Sequence, residues 1–340
     1  MKKSIVLMMM IAGLVPSLAQ AQLISKKGTA AAQFLLIPVG ARAAGLGGAV
    51  TATVADASAM YWNPGALASV RTRQALIEHS GWIGDLQHNY VAVALPVGGA
   101  GTFGLSLTAL TMADMEETTF EQQEGTGRMF GASSVAVGVS YGQYLLRTFA
   151  IGGTVKYVNE RIFNTSASAV AVDIGTQYQT PFKPLRFGVR IANFGPKMHM
   201  QGDDLIAPVD IDLNNNGNNS EIDAYLKTKR YALPLMLQAG LALDALDNER
   251  IRATLLLDAT SPSDNNQSLN VGTELSFFNG MFSVQAGLPE LGLKDRTWEY
   301  AAGGSVNYRT SNGMGLGVGY AAQGHKYLGL TNRISMTLNF

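Results

Sequence analysis

Three stretches of the chain carry residues whose types and spacing could do chemistry. Gly138-Val139-Ser140-Tyr141-Gly142 has the spacing of a nucleophile elbow, in which a strained strand-to-helix turn lifts a serine toward its substrate. Ser140 instead sits within an unbroken alternating stretch, and its partners would have to come from His79, His88, His199 and His325, all in or near loops. A serine on the polar face of a strand is the better reading, so no catalytic residue is assigned and no enzyme is expected. Gly40-Ala41-Arg42-Ala43-Ala44-Gly45-Leu46-Gly47-Gly48-Ala49 is glycine-rich enough to suggest a phosphate cradle, but no Lys-Ser/Thr follows and no acidic partner stands in a βαβ context. The third stretch runs from Asp212 to Asp223. Asp212, Asn214, Asn216, Ser220 and Asp223 fall on positions of a calcium loop that supply hard oxygen ligands, with Gly217 at the turn. Asp223 replaces the usual bidentate glutamate, no flanking helices are evident, and an Asn-rich solvated loop has much the same composition. Ca²⁺ at this loop is therefore a candidate, and no other cofactor is implied.

The elements that would position these residues repeat with period two. Ile151, Gly153, Val155 and Tyr157 alternate with Gly152, Thr154 and Lys156; Ile251, Ala253, Leu255 and Leu257 alternate with Arg252, Thr254 and Asp258. The same holds for Leu269 to Phe277 and for Phe187, Val189 and Ile191. One apolar and one polar or small face per strand suits lipid outside and a packed or wet lumen inside. About fourteen such stretches are legible from residue 73 on, and an even number of ~10-residue strands is usual for bacterial barrels. Connections alternate in length, with longer ones near 80–87, 114–128, 197–229 and 322–331. This predicts an all-β, 14-stranded antiparallel transmembrane barrel over 73–340. Lys156, Arg190, Arg252 and Glu274 should point inward, since a charge at mid-depth in lipid costs ~2–4 kcal/mol. Trp82, Tyr90, Trp298 and Tyr300, near strand ends, read as membrane-interface anchors.

The chain's ends set its compartment. Lys2 and Lys3, the apolar run Ile5 to Val15, the break at Pro16-Ser17 and Ala19-Gln20-Ala21 form the three-part pattern of a cleaved signal peptide, 1–21. That run is too short to cross a bilayer, which takes ~20 apolar residues. Cysteine is absent, net charge is zero, and 15% charged residues is well below the ~25% of soluble domains. No basic stripe for nucleic acid is present. Ile334, Met336, Leu338 and Phe340 share one face of a last strand, and a terminal aromatic there resembles the signal read by the barrel assembly machinery. An outer-membrane location in contact with lipid follows.

Residues 22–72 do not alternate. Small residues dominate, which suits backbone packed inside a narrow barrel, and irregular backbone at membrane depth needs protein or water around it. A lumenal plug is expected, with Asp56-Ala57-Ser58-Ala59 starting a short helix. The residues Gly40, Arg42, Gly45, Gly47 and Gly48, followed by Asp56, Ser58, Tyr61, Trp62, Asn63 and Pro64, resemble the N-terminal signature of the PorV/PorQ family, a branch of the FadL-like outer-membrane proteins. That group is similar in having a fourteen-stranded barrel and a hatch with an Asn-Pro-Ala motif; Gly65 stands where the alanine would be. The resemblance implies a component of type IX secretion that receives or attaches cargo through the cargo's C-terminal domain, with other secretion components as partners. The alternative it implies is a FadL-like channel for long-chain fatty acids or other small hydrophobic compounds.

Overall fold

A computed structural model describes residues 26–182, 184–210, 222–248, 250–310 and 314–340. The signal-peptide segment 1–21 lies outside them, as do Asp212, Asn214, Asn216 and Ser220 of the candidate calcium loop. Fourteen strands form one antiparallel ring: β1 Gln74–Gly81, β2 Gln87–Pro96, β3 Thr102–Thr111, β4 Ala132–Leu146, β5 Phe149–Ile162, β6 Thr165–Gln179 and β7 Leu185–Phe194. The second half comprises β8 Met236–Asp247, β9 Ile251–Pro262, β10 Ser268–Phe277, β11 Phe282–Leu291, β12 Trp298–Arg309, β13 Gly315–His325 and β14 Gly329–Asn339. The ring closes where β1 pairs β14, from Gln74 opposite Asn339 to Gly81 opposite Asn332. Closure leaves no sheet edge unpaired, as hydrocarbon surroundings demand.

Alternation decides which face each side chain takes. Along β9, Thr254, Leu256, Asp258 and Thr260 are buried inside, while Leu255 and Leu257 stand outward at 51% and 39% exposure. Val155 and Tyr157 on β5 and Ile334, Met336, Leu338 and Phe340 at the C-terminus join the outward apolar belt. No helix among the described residues is long and apolar enough to cross a membrane, so the strands supply the lipid-facing surface.

The two long connections, 112–131 and 195–235, leave the same end of the barrel, which we take as outer by the rule that periplasmic turns are short. The long connection expected at 322–331 is absent. There β13 runs on to His325 and pairs Gln323 with Thr331 and His325 with Gly329, leaving only 326–328 to turn. Ala321 and Gln323 are buried against the plug, and that contact, which the sequence pattern does not show, extends the strand.

The N-terminal residues fill the lumen. Residue Ala30 bridges Ala232 at the outer mouth, and Lys27 Nζ donates to Asp295 O at 3.4 Å. From there the chain descends through a 3₁₀ turn at Gln33–Leu36, helix α1 Ala41–Gly45, helix α2 Ala59–Trp62 and a second 3₁₀ turn at Pro64–Ser69. It reaches the periplasmic end where β1 begins. Val39, Leu46, Val50, Met60, Trp62 and Leu67 form one core with inward-facing Leu76, Tyr90, Ala92 and Leu256 of the wall. Tyr90 is thus not an interface anchor: its strand position has inward parity, and the plug buries it.

Candidate functional site

The plug is held against the wall by backbone-to-backbone approach at glycines. Gly142 on β4, Gly152 on β5 and Gly175 on β6 lie directly opposite one another in the sheet register. They make a shallow track into which Asn63-Pro64-Gly65 fits. A Cβ at Gly142 would lie 2.7 Å from Pro64 O, and one at Gly65 would lie 2.5 Å from Gly175 O. Gly65 therefore departs from the alanine of the FadL-type motif for a local reason: the plug sits too close to the wall for any side chain. The approach repeats where Thr51 meets Gly188 and Leu46 meets Gly287.

Asn63 is the centre of this contact. It is fully buried, and its Nδ2 donates to Thr51 O at 2.8 Å within the plug and to Thr176 O at 2.9 Å on β6. Its Oδ1 accepts from Gly65 N at 3.1 Å, which starts the turn at Pro64. One side chain thus satisfies three backbone groups that burial would otherwise leave bare. Asp56 plays a local part: its Oδ1 accepts from Ser58 N at 2.8 Å and from the Ser58 hydroxyl, setting the entry to α2. Trp62 Nε1 donates to Val39 O at 2.6 Å and Tyr61 hydroxyl to Leu35 O at 3.1 Å, tying the helix to the descending strand of the plug. Burial pushes the Tyr61 phenol up to about 12, although the nearby Arg190 guanidinium pulls the other way.

Charged side chains inside the barrel divide between wall and plug. Arg42 on α1 holds Glu274 of β10 through Nε at 2.8 Å and Nη2 at 2.6 Å, a fork that fixes the plug in register. Burial alone would lower the Arg42 guanidinium; the Glu274 carboxylate more than offsets this and leaves it raised. Arg190 on β7 donates to Tyr61 O and lies over both the Tyr61 and Trp62 rings, 5.3 Å from each centroid. Lys156 stays within the wall, 2.8 Å from Asp173 and 2.6 Å from Asn193 Oδ1. Arg252 differs from the other three. It has inward parity, but it lies beyond Thr254 at the periplasmic rim and pairs with Asp247 at 3.1 Å, both exposed. A second buried group, Glu78, His88 and Arg333, faces α1: Glu78 accepts from Gly40 N and lies 3.0 Å from Arg333 Nε. Sequence reading passed over it, although all three have the inward parity of their strands.

Ser140 is buried, shares a hydrogen with Thr154 Oγ1 at 2.8 Å, and sits in the middle of β4 with no elbow turn. Asp223 lies exposed in a short strand, Ile222–Tyr225, that pairs with Ile206–Val209 in the long outer connection. Among the described residues, no group of three or more acidic, His or Cys side chains converges as a metal site.

Above the plug is a cavity of about 560 Å³, open toward the outer loops. That size lies in the ~300–1,000 Å³ range of small-molecule sites. Phe34, Ile37 and Pro38 of the plug, Trp82 and Trp298 of the wall and Leu293 give it apolar sides. Trp62 and Arg190 are in its lining, and Trp82 and Trp298 stand 5.6 Å apart between ring centroids. Those two tryptophans, expected as membrane anchors, turn inward and line this space instead. A smaller hollow of about 80 Å³ lies on the other side of the plug, lined by Arg42, Asp56 and Leu76. The packed plug core separates the two.

The model of the uncharacterised protein family UPF0164 matches residues 10–179, half of the 340. The chain belongs to that family. No curated protein matches it. Among solved structures it is similar to the CymD monoaromatic hydrocarbon channel, with a TM-score of 0.56, 11% identity and coverage of 90% of this chain and 98% of that one. A Pseudomonas aeruginosa FadL homologue gives 0.55, 11%, 89% and 98%, and the Ralstonia pickettii toluene transporter TbuX 0.51, 10%, 88% and 97%. At these identities the likeness shows a shared fold: the plugged, fourteen-stranded FadL-like barrel.

Proposed function

We propose that this protein is an outer-membrane channel for small hydrophobic or amphipathic compounds, kept shut by its plug. The observation that carries this reading is the apolar-sided cavity, open at the outer end and floored by the plug. The printed functions of two proteins of the same fold, a monoaromatic hydrocarbon channel and a toluene transporter, support it. Long-chain fatty acids are a second ligand class of suitable shape. A compound would rest between Phe34 and the Trp82–Trp298 pair and pass on only when the Asn63 anchor yields. Export through the 1–21 segment and recognition of Phe340 by the assembly machinery would bring the barrel to the outer membrane. There Phe340 continues the outward row of β14 at 57% exposure.

A second reading is the type IX secretion component implied by the PorV/PorQ-like signature. The 195–235 connection supports it: it is long, sits at the outer end and presents Tyr225 and Leu226 at 68% and 58% exposure. Such a surface suits docking of a cargo C-terminal domain. Deletion of the gene in its native host separates the two. Slower uptake of toluene or a fatty acid with intact secretion supports the channel; retained cargo with unchanged uptake supports the secretion role and refutes the channel.

A further inference from the structure

The outer cavity carries more polar chemistry than the passage of a hydrocarbon requires. Gln238 on β8, Gln323 on β13 and Asp264 in the 263–267 connection all line it and are only 3%, 4% and 6% exposed. Each has a buried oxygen without a hydrogen-bond partner: Gln238 Oε1, Gln323 Oε1 and Asp264 Oδ1. Two of these are oriented by the other half of the group. Gln323 Nε2 donates to Ala44 O at 3.1 Å, so exchanging its oxygen and nitrogen would set oxygen against oxygen. Asp264 Oδ2 accepts from Gln33 Nε2 at 2.6 Å. Arg190 is in the same lining, 4% exposed, with an unpartnered Nε. A buried polar atom left bare is costly. The cavity therefore favours a ligand that brings donors for three oxygens and an acceptor for one N–H.

We propose that this cavity selects amphiphiles with a hydroxyl head on an apolar body, and that Gln238, Gln323, Asp264 and Arg190 read the head. The inference rests on the cavity being a ligand site, as the proposed channel function requires. A carboxylate only accepts and would set a second negative charge near Asp264. An ammonium only donates and would face the Arg190 guanidinium. A hydrocarbon satisfies none of the four atoms. A hydroxyl donates one hydrogen bond and accepts two, so it serves both kinds of partner. The terminal torsions of Gln and Asp are broad, which lets their oxygens turn toward a ligand without leaving a rotamer well. The apolar body would lie against Phe34, Trp82 and Trp298.

All three tryptophans of the chain, Trp62, Trp82 and Trp298, line the cavity, so intrinsic emission reads its occupancy without a label. The full chain in nanodiscs is titrated with four probes that share one ring: toluene, benzyl alcohol, benzoate and benzylamine. Benzyl alcohol should bind about tenfold more tightly than the other three, the difference expected of one well-placed hydrogen bond. Gln238→Leu and Gln323→Leu should each bring its affinity down toward that of toluene. Folding of each variant is checked by heat-modifiable mobility, and Gln238→Leu is the safer of the two because Gln323 also bonds the plug. Equal affinity for all four probes, or an alcohol preference that survives both substitutions, overturns the head-group assignment and leaves the cavity as a ligand site. Failure of all four probes to bind a folded barrel overturns the channel reading as well.

Discussion

Replacing Asn63 by leucine, which has a similar volume and no polar atoms, should unlatch the plug while leaving the barrel intact. The substitution removes the donors that meet Thr51 O at 2.8 Å and Thr176 O at 2.9 Å, and the acceptor that meets Gly65 N at 3.1 Å. Each buried backbone group left without a partner costs ~1–3 kcal/mol. Carbonyls retain a second lone pair, so ~1 kcal/mol for each of the three groups is the low end, or about 3 kcal/mol for plug docking. At ~1.4 kcal/mol per factor of ten, the open plug becomes roughly a hundredfold more populated. Single-channel recording in planar bilayers reads this directly as more frequent openings. The strand signal in far-ultraviolet circular dichroism should stay unchanged, because the fourteen-strand ring does not depend on Asn63. Openings no more frequent than in the wild type, in a folded variant, would refute the assignment of Asn63 as the latch.

Other perturbations test neighbouring parts of the site. Gly65→Ala restores the FadL-type residue, yet its Cβ would lie 2.5 Å from Gly175 O, so the melting temperature should fall rather than rise. The Arg42–Glu274 fork should show a coupling of about 1–3 kcal/mol in a double-mutant cycle on thermal stability, with Glu274→Gln milder than Arg42→Ala, which strands a buried carboxylate. Tyr61 titrates near 12 against an ordinary 10.0, so its neutral form is favoured in the docked plug. Its contribution is complete below pH 10, is lost as pH rises toward 12, and should vanish from alkaline stability profiles in Tyr61→Phe.

The strands were legible because lipid and plug impose opposite demands on successive residues, as at Thr254, Leu255, Leu256 and Leu257, where burial alternates residue by residue. The plug was legible from composition alone: only small residues let its backbone approach a glycine wall. The cavity was not. Its lining runs from Lys27 to Gln323 and draws single residues from many elements, so no local motif announces it. Trp82 and Trp298 had the composition and strand-end position of interface anchors, and parity alone turned them inward. Two wall bulges were also invisible. Asn193 and Glu290 take left-handed backbone, φ 63° and 57°, where a facing side chain, Asp173 or Asn270, accepts their N–H at 2.8 and 2.9 Å. Only the neighbouring strand supplies that partner, and a single strand's pattern does not contain it.

Uptake through the outer membrane tests the central claim most directly. The chain is expressed in a Gram-negative host that lacks its own channel of this fold, and entry of radiolabelled toluene is timed in whole cells beside an empty-vector control. Entry should be faster with the wild type than with the vector, and faster again with Asn63→Leu. A correctly assembled barrel that leaves entry at the vector rate in both forms would contradict a plug-gated channel for small hydrophobic compounds.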